Sequence, residues 1–273
     1  MSISPHPPDV RLEQVLEAAG VGYWEWLPEG DRLQVDDRLA GWLGARPSSM
    51  VAYRALARDE QRREGARWYR VGERWIEERR VCGEQGQVVA ACLDVTDRRR
   101  REEVLTWEAE HDPLTGLLSR RSFDRLLERA AGKLDGRGAT VSLLMVDLDG
   151  FKTVNDRQGH AIGDELLGAI AGRLRGALRQ GDPVARWGGD EFAVLLASDT
   201  QGLRAGSVAQ RLLTAIHQPV RLGPVPLTVH ASVGVAVLEA DEGLPSLAER
   251  ADRALYAAKR AGGARWCLDG WAP

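Results

Sequence analysis

Residues 184–196 read VARWGGDEFAVLL, two apolar-rich runs folded about a glycine pair, and no other segment restricts the fold as strongly. Val184–Trp187 and Glu191–Leu196 are expected to pair as a hairpin around a Gly188-Gly189-Asp190 turn, because glycine accepts the positive φ and close backbone approach of a tight tip. The flanking segments alternate in period. A strand is predicted at Thr140–Val146, then a helix from about His160 to Leu178 with Ile162, Leu166, Leu167, Ile170 and Leu174 on one face. A helix at Gly202–His217, a strand at Leu227–Leu238, a helix at Pro245–Ala261 and a short strand at Arg265–Leu268 follow. Ahead of them, a helix at Pro113–Ala131 is expected behind Asp112, an N-cap residue followed by proline at the first helical position. The pattern implies an α/β layer with a mixed central sheet flanked by helices, not a Rossmann repeat.

The part up to residue 110 differs in character. It carries 17 arginines, no lysine, 21 acids and six of the nine tryptophans. It opens on a short amphipathic stretch (Val10, Leu12, Val15, Leu16), continues through alternating segments such as Gly22-Tyr23-Trp24-Glu25-Trp26, and closes with strand-like runs at Trp75–Cys82 and Gln87–Val95 around the turn-rich Gly83-Glu84-Gln85-Gly86. An antiparallel sheet with a few helices is implied, and a length of 273 residues accommodates about two such domains. Thr96–Asp112 is polar and free of Gly and Pro, with Arg98/Glu102 and Arg99/Glu103 at i,i+4 spacing, so a connecting helix is expected; Arg98–Arg101 reads as its solvated face.

Composition excludes several classes of function. Hydrophobic residues at 44% and charged residues at 28% are those of a globular chain, and a net charge of −3 lacks the basic field of a nucleic-acid binder. Cys82, Cys92 and Cys267 show no C-x-x-C spacing, and apolar runs such as Val88–Leu93 fall far short of the ~18 residues a bilayer requires. A cytoplasmic protein with neither nucleic-acid nor membrane partners is expected. Of the 37 cations only Lys133, Lys152 and Lys259 are lysine, which makes each lysine informative.

The chemistry concentrates in acids. Asp147 and Asp149 leave the C-terminal end of an apolar strand, and Asp190 and Glu191 leave the hairpin tip. If the hairpin pairs beside that strand, these carboxylates face one another and form a hard-oxygen site suited to Mg²⁺. Separately, the two motifs are loop acids and a common turn; together they favour a metal.

Arg186-Trp187-Gly188-Gly189-Asp190-Glu191-Phe192 resembles the signature of the GGDEF family of diguanylate cyclases. So do Asp112-Pro113-Leu114-Thr115-Gly116-Leu117, Asp147-Leu148-Asp149-Gly150-Phe151-Lys152 with Val154-Asn155-Asp156, Gly159-His160, Gly163-Asp164, and the run Ala251–Lys259. The resemblance covers about residues 108–269. It implies condensation of two GTP molecules into cyclic di-GMP with release of two pyrophosphates, in a homodimer whose domains face each other. Asp147, the Leu148 carbonyl, Asp190 and Glu191 would hold Mg²⁺, with Mn²⁺ as the alternative, and Asp190, Glu191 and Lys152 would carry catalysis. Asn155 and Asp164 match positions that recognise guanine, and Lys152 and Lys259 match phosphate contacts. Gly150, Phe151, Gly188 and Gly189 would complete the substrate cradle. Asp164 also reads as a first-turn acid stabilised by its helix.

Arg179-Gln180-Gly181-Asp182 fits the family's R-x-x-D product-inhibition site, where Arg179 and Asp182 would bind cyclic di-GMP. Two positions depart from the pattern: Gly263 stands where an arginine usually contacts phosphate, with Arg265 two residues on, and Ser119 stands where asparagine is usual. Residues 9–97 resemble a PAS sensor and dimerisation domain through Gly22–Trp26 and Asp94-Val95-Thr96, with tryptophans that either fill its core or line a pocket for an unidentified small ligand. Residues 98–111 would be the signalling linker and 112–273 the cyclase domain. The competing reading is a degenerate cyclic di-GMP receptor or GTP-binding switch.

Overall fold

The computed structural model describes residues 10–63, 65–83, 86–132, 141–197, 203–222, 226–238 and 243–270. Lys133, the Glu84–Gln85 turn, and the Thr140 and Gly202 ends of two expected elements lie outside them. The chain divides into two compact units, the second beginning at Thr106.

The first unit contains α1 (Val10–Ala18), β1 (Val21–Leu27), β2 (Arg32–Val35), α2 (Asp37–Leu43), α3 (Met50–Leu56), β3 (Arg58–Arg63), β4 (Ala66–Val71), β5 (Arg74–Cys82) and β6 (Val88–Asp94). Its six strands form an antiparallel sheet in the order β2-β1-β6-β5-β4-β3. Alternation along β1 and β6 turns Trp24, Ala90 and Cys92 onto the face covered by Leu39, Leu43, Met50 and Tyr53 of α2 and α3. A fully buried acid sits inside this core. Glu78 accepts from Trp24 Nε1 at 2.9 Å, from Tyr53 Oη and from Arg80 Nε, which compensates the cost of burying a charge. Trp24 is thus a core residue, while Trp107 is exposed.

Helix α4 (Thr96–Glu110) leaves the first unit. Its start is fixed by Asp94, which accepts from the Thr96 N–H at 3.0 Å, and by Thr96 Oγ1, which accepts from the Trp75 N–H at 2.9 Å. The solvated-face reading of Arg98–Arg101 holds for Arg98, Arg100 and Arg101, with Arg98 in its expected i,i+4 pair with Glu102 at 3.7 Å, and fails at the half-buried Arg99. Arg98 binds the buried Glu77 at 2.9 Å, and Arg99 lies 3.9 Å from the centre of the Trp75 ring instead of pairing with Glu103. A guanidinium over indole contributes about 0.5–2 kcal/mol, more than an exposed i,i+4 ion pair.

The second unit adds β7 (Leu118–Ser119), α5 (Arg120–Ala131), β8 (Val141–Asp149), α6 (Phe151–Gln158), α7 (His160–Ala177), β9 (Val184–Gly188), β10 (Glu191–Ala197), α8 (Leu203–Ile216), β11 (His230–Val237), α9 (Leu244–Arg260) and β12 (Trp266–Leu268). The sheet order is β12-β11-β8-β10-β9-β7, with β12 and β7 parallel to their neighbours and the remaining pairs antiparallel. The mixed sheet expected from the sequence is therefore present. Leu144, Val146 and Leu148 of β8 pack with α7 and α8, while Leu143 and Met145 pack with α5 and α9. Burial on both faces explains why Leu143–Val146 is continuously apolar. At Gly234 the helix α9 backbone lies so close that a Cβ would overlap Ala251 O and Leu255 N.

Two expectations are corrected. Residues 113–131 are not one helix. Asp112 accepts from the Thr115 N–H at 2.9 Å and its hydroxyl at 2.7 Å, Gly116 takes φ 63°, and α5 starts only after Ser119. Ser119 is the N-cap, accepting from the Ser122 N–H, so its substitution for asparagine preserves a capping oxygen. The second correction is α6, a helix that the sequence pattern does not announce.

Candidate active site

The sheet register brings the acids together. Glu191 at the start of β10 stands directly opposite Asp147 of β8, and Ser232 of β11 stands opposite Asp147 on its other side. Directly paired residues project to the same face, so these three share the face covered by α9. The hairpin tip places Gly189 at φ 53°, and the Leu148 N–H donates to the Asp190 carbonyl at 3.4 Å. Gly188 ends β9, with a bulge between Glu191 and Phe192.

The Asp147 side chain is 10% exposed, and Lys259 Nζ of α9 lies 2.7 Å from its Oδ2. Burial raises the Asp147 carboxyl above its usual range; Lys259 opposes the shift and the charges of Asp190 and Asp149 add to it. Glu191 is raised as well, by burial first and then by Asp147, Asp252 and Asp190, against Lys259. Burial and mutual repulsion thus disfavour the ionised form of both acids, a penalty that a bound cation would relieve.

All the donors named for a metal are hard oxygens. Among the described residues no three His, Cys, Asp or Glu side chains converge on one point. Mg²⁺ is usually bound through one or two carboxylates, with waters and substrate phosphates supplying the rest, so the Asp147–Glu191 pair beside the Leu148 carbonyl and Asp190 fits such an ion. Asp149 has another task. It accepts from Ser232 Oγ at 2.8 Å and from the Ala264 N–H at 2.9 Å. Gly263, at φ 70°, passes so near that a Cβ would come within 2.9 Å of the Asp149 carboxylate.

Gly150, at φ 75°, turns β8 into α6; Phe151 is buried at its first position and Lys152 is exposed beside it. Gly159, at φ 85°, joins α6 to α7. Across that junction the Asn155 side chain lies on the bare backbone of Gly163, with Oδ1 buried and lacking a hydrogen-bond donor. Asp164 is exposed in the next position.

Two arginines of the site make contacts that sequence reasoning did not assign. Arg186 Nη1 reaches Asp112 Oδ2 at 3.1 Å while its Nε donates to the Gly189 carbonyl at 2.9 Å, which ties the entry turn to the hairpin tip. Arg204 of α8 binds Asp182 at 2.5 Å. Asp182 also accepts from the Arg179 N–H at 3.2 Å, and the Arg179 side chain is exposed. The Arg186–Asp112 and Arg204–Asp182 contacts depend on tertiary approach, which no periodicity or spacing reveals.

The model of the family described as diguanylate cyclase, GGDEF domain, matches residues 109–265, which contain every site residue described above. The chain belongs to the GGDEF family. It is 40% identical over 179 residues to the diguanylate cyclase DgcM of Escherichia coli K12, covering 65% of this chain and 43% of DgcM. Diguanylate cyclase TpbB of Pseudomonas aeruginosa is 38% identical over 195 residues, 70% of this chain and 45% of TpbB. The chain thus spans under half the length of these curated relatives. Among solved structures, the coiled coil and GGDEF domain of DgcB from Caulobacter crescentus, in complex with c-di-GMP, superposes with a TM-score of 0.59 at 29% identity, over 64% of this chain and 93% of that one. No helix among the described residues is long and apolar enough to cross a membrane.

Proposed function

We propose that this GGDEF protein is a diguanylate cyclase that condenses two GTP molecules into cyclic di-GMP with release of two pyrophosphates. The observation that carries the reading is the Glu191–Asp147 pairing across the two central strands of the sheet, with Lys259 on Asp147. In each half-reaction the 3′-oxygen of one nucleotide forms a bond to the α-phosphorus of the other, the bond to the bridging oxygen of pyrophosphate breaks, and the hydroxyl proton is lost. Asp147, the Leu148 carbonyl, Asp190 and Glu191 would hold Mg²⁺, or Mn²⁺ in its place, which neutralises triphosphate charge and activates the nucleophile. Lys152 and Lys259 are the ammonium groups for the phosphates; Lys259 passes from Asp147 to substrate oxygens. The backbone at Gly150–Phe151 and at Gly188–Gly189 leaves room for close approach. Asn155 Oδ1 needs a donor, and a guanine edge offers N1–H and N2–H₂; Asp164 accepts from the same edge.

One domain holds one GTP, so two copies of the chain must meet with their sites opposed, in a two-fold homodimer. Residues 9–97 act as a PAS-like input and dimerisation domain, residues 98–111 as the signalling linker, and residues 112–273 as the cyclase, in the cytoplasm. Arg179 and Asp182 bind the product and restrain synthesis. Incubating the protein with GTP and Mg²⁺ and resolving the products by chromatography tests the reading: two pyrophosphates per cyclic di-GMP support it, and bound but unconverted GTP contradicts it.

A further inference from the structure

The Asp182 side chain is 10% exposed, and both contacts that hold its carboxylate fall on Oδ2: Arg204 from α8 at 2.5 Å and the Arg179 N–H at 3.2 Å. The Asp182 N–H in turn donates to the Arg179 carbonyl at 3.0 Å, across Gly181 at φ 98°. This turn follows the end of α7, and Arg211 of α8 donates to the Ala177 carbonyl there, so α8 braces the turn at two points. A carboxylate offers about four lone-pair positions. With its rotamer fixed through Oδ2, Asp182 keeps Oδ1 and further acceptor capacity for an incoming base edge. Unheld, a short acid on a glycine-containing turn would have to be ordered at the moment of binding, at the expense of affinity.

We infer that Arg204 is a positioning residue of the product-binding site, presetting Asp182 to accept the guanine N–H groups of cyclic di-GMP while Arg179 remains free for the phosphate. The inference rests on the Arg179/Asp182 product-site reading. The test measures cyclic di-GMP binding by calorimetry on the nucleotide-stripped protein, together with the product concentration that halves each variant's own uninhibited rate. Arg204→Ala is expected to weaken both by about tenfold, the effect of removing one charge-assisted hydrogen bond. Arg204→Lys keeps a charge that can reach Oδ2 and should recover most of the loss, which a general defect in folding would not. Tighter binding in Arg204→Ala would mean that Arg204 competes with product for Asp182, and unchanged binding would mean that it is a bystander; either overturns the inference. Arg179→Ala separates the two levels. If that variant still binds and responds to product like the parent, the product site lies elsewhere and both readings fall; if it loses binding while Arg204→Ala does not, only the Arg204 inference falls.

Discussion

Replacing Gly163 by alanine should separate the fold of the GGDEF domain from the proposed recognition of guanine. Gly163 lies in the first turns of α7, where alanine is the better helix former by about 1 kcal/mol, so the helix itself favours the change. The obstacle is local. An added Cβ would overlap Asn155 Oδ1 and sit 3.0 Å from Asn155 Cγ and 3.3 Å from Phe151 Cζ. The Asn155 amide is the end of a flexible side chain and can rotate away, so the expected outcome is a folded protein with Asn155 displaced. Removing one neutral hydrogen bond to the base costs about 1 kcal/mol, or about fivefold in KM for GTP; leaving a buried base edge unpaired extends this to about 3 kcal/mol, or about a hundredfold. Steady-state kinetics at saturating Mg²⁺, with thermal unfolding of the same samples, reads both quantities. A raised KM with a melting temperature within a few degrees of the parent is predicted. An unchanged KM would refute the assignment of Asn155 to the base, and a KM effect accompanied by gross loss of stability would refute the claim that the side chain gives way.

Asp190→Asn and Glu191→Gln should each lower synthesis at least about a hundredfold, as expected when charge stabilisation at a reacting phosphate is removed. Calorimetric binding of cyclic di-GMP should persist in both, and retained turnover would remove these acids from the chemistry. Burial pushes the Asp112 carboxyl up, but its bonds from Thr115 and the Arg186 charge outweigh this and hold it below the usual carboxylate range. Its contribution to stability is therefore present above the unfolded carboxylate value and lost as pH falls through the folded one. Asp112→Asn should cost about 1–3 kcal/mol near neutrality and flatten that acid limb in urea denaturation, whereas an unaltered limb would assign it to other groups.

Much of this was legible in the sequence because it depends on short-range chemistry. The glycine pair between apolar runs specifies the hairpin, and once β10 lies beside β8, register alone puts Glu191 opposite Asp147. Of the apolar positions that periodicity marked on α7, Leu166, Leu167, Ile170 and Leu174 are buried and Ile162 is half-buried. What failed was set by competition between local partners or by distant contacts. The Pro113 start looked helical, yet the Thr115 hydroxyl and N–H satisfy Asp112 in a turn and Gly116 breaks the run. Helix α6 has only eight residues, with Phe151 and Val154 as its apolar positions, too few to display a period. Arg99 had a carboxylate at i+4 but took the Trp75 ring. Arg204 meets Asp182 across 22 residues of sequence, beyond any local pattern.

The most direct test of the central claim is the yield of cyclic di-GMP and pyrophosphate from GTP and Mg²⁺, measured by chromatography on nucleotide-stripped protein across a series of protein concentrations. Two pyrophosphates are predicted for each cyclic di-GMP, with a specific activity that rises with protein concentration as facing pairs form and then falls as product accumulates. Absence of product with both Mg²⁺ and Mn²⁺, while cyclic di-GMP still binds, would contradict it and leave the chain a receptor.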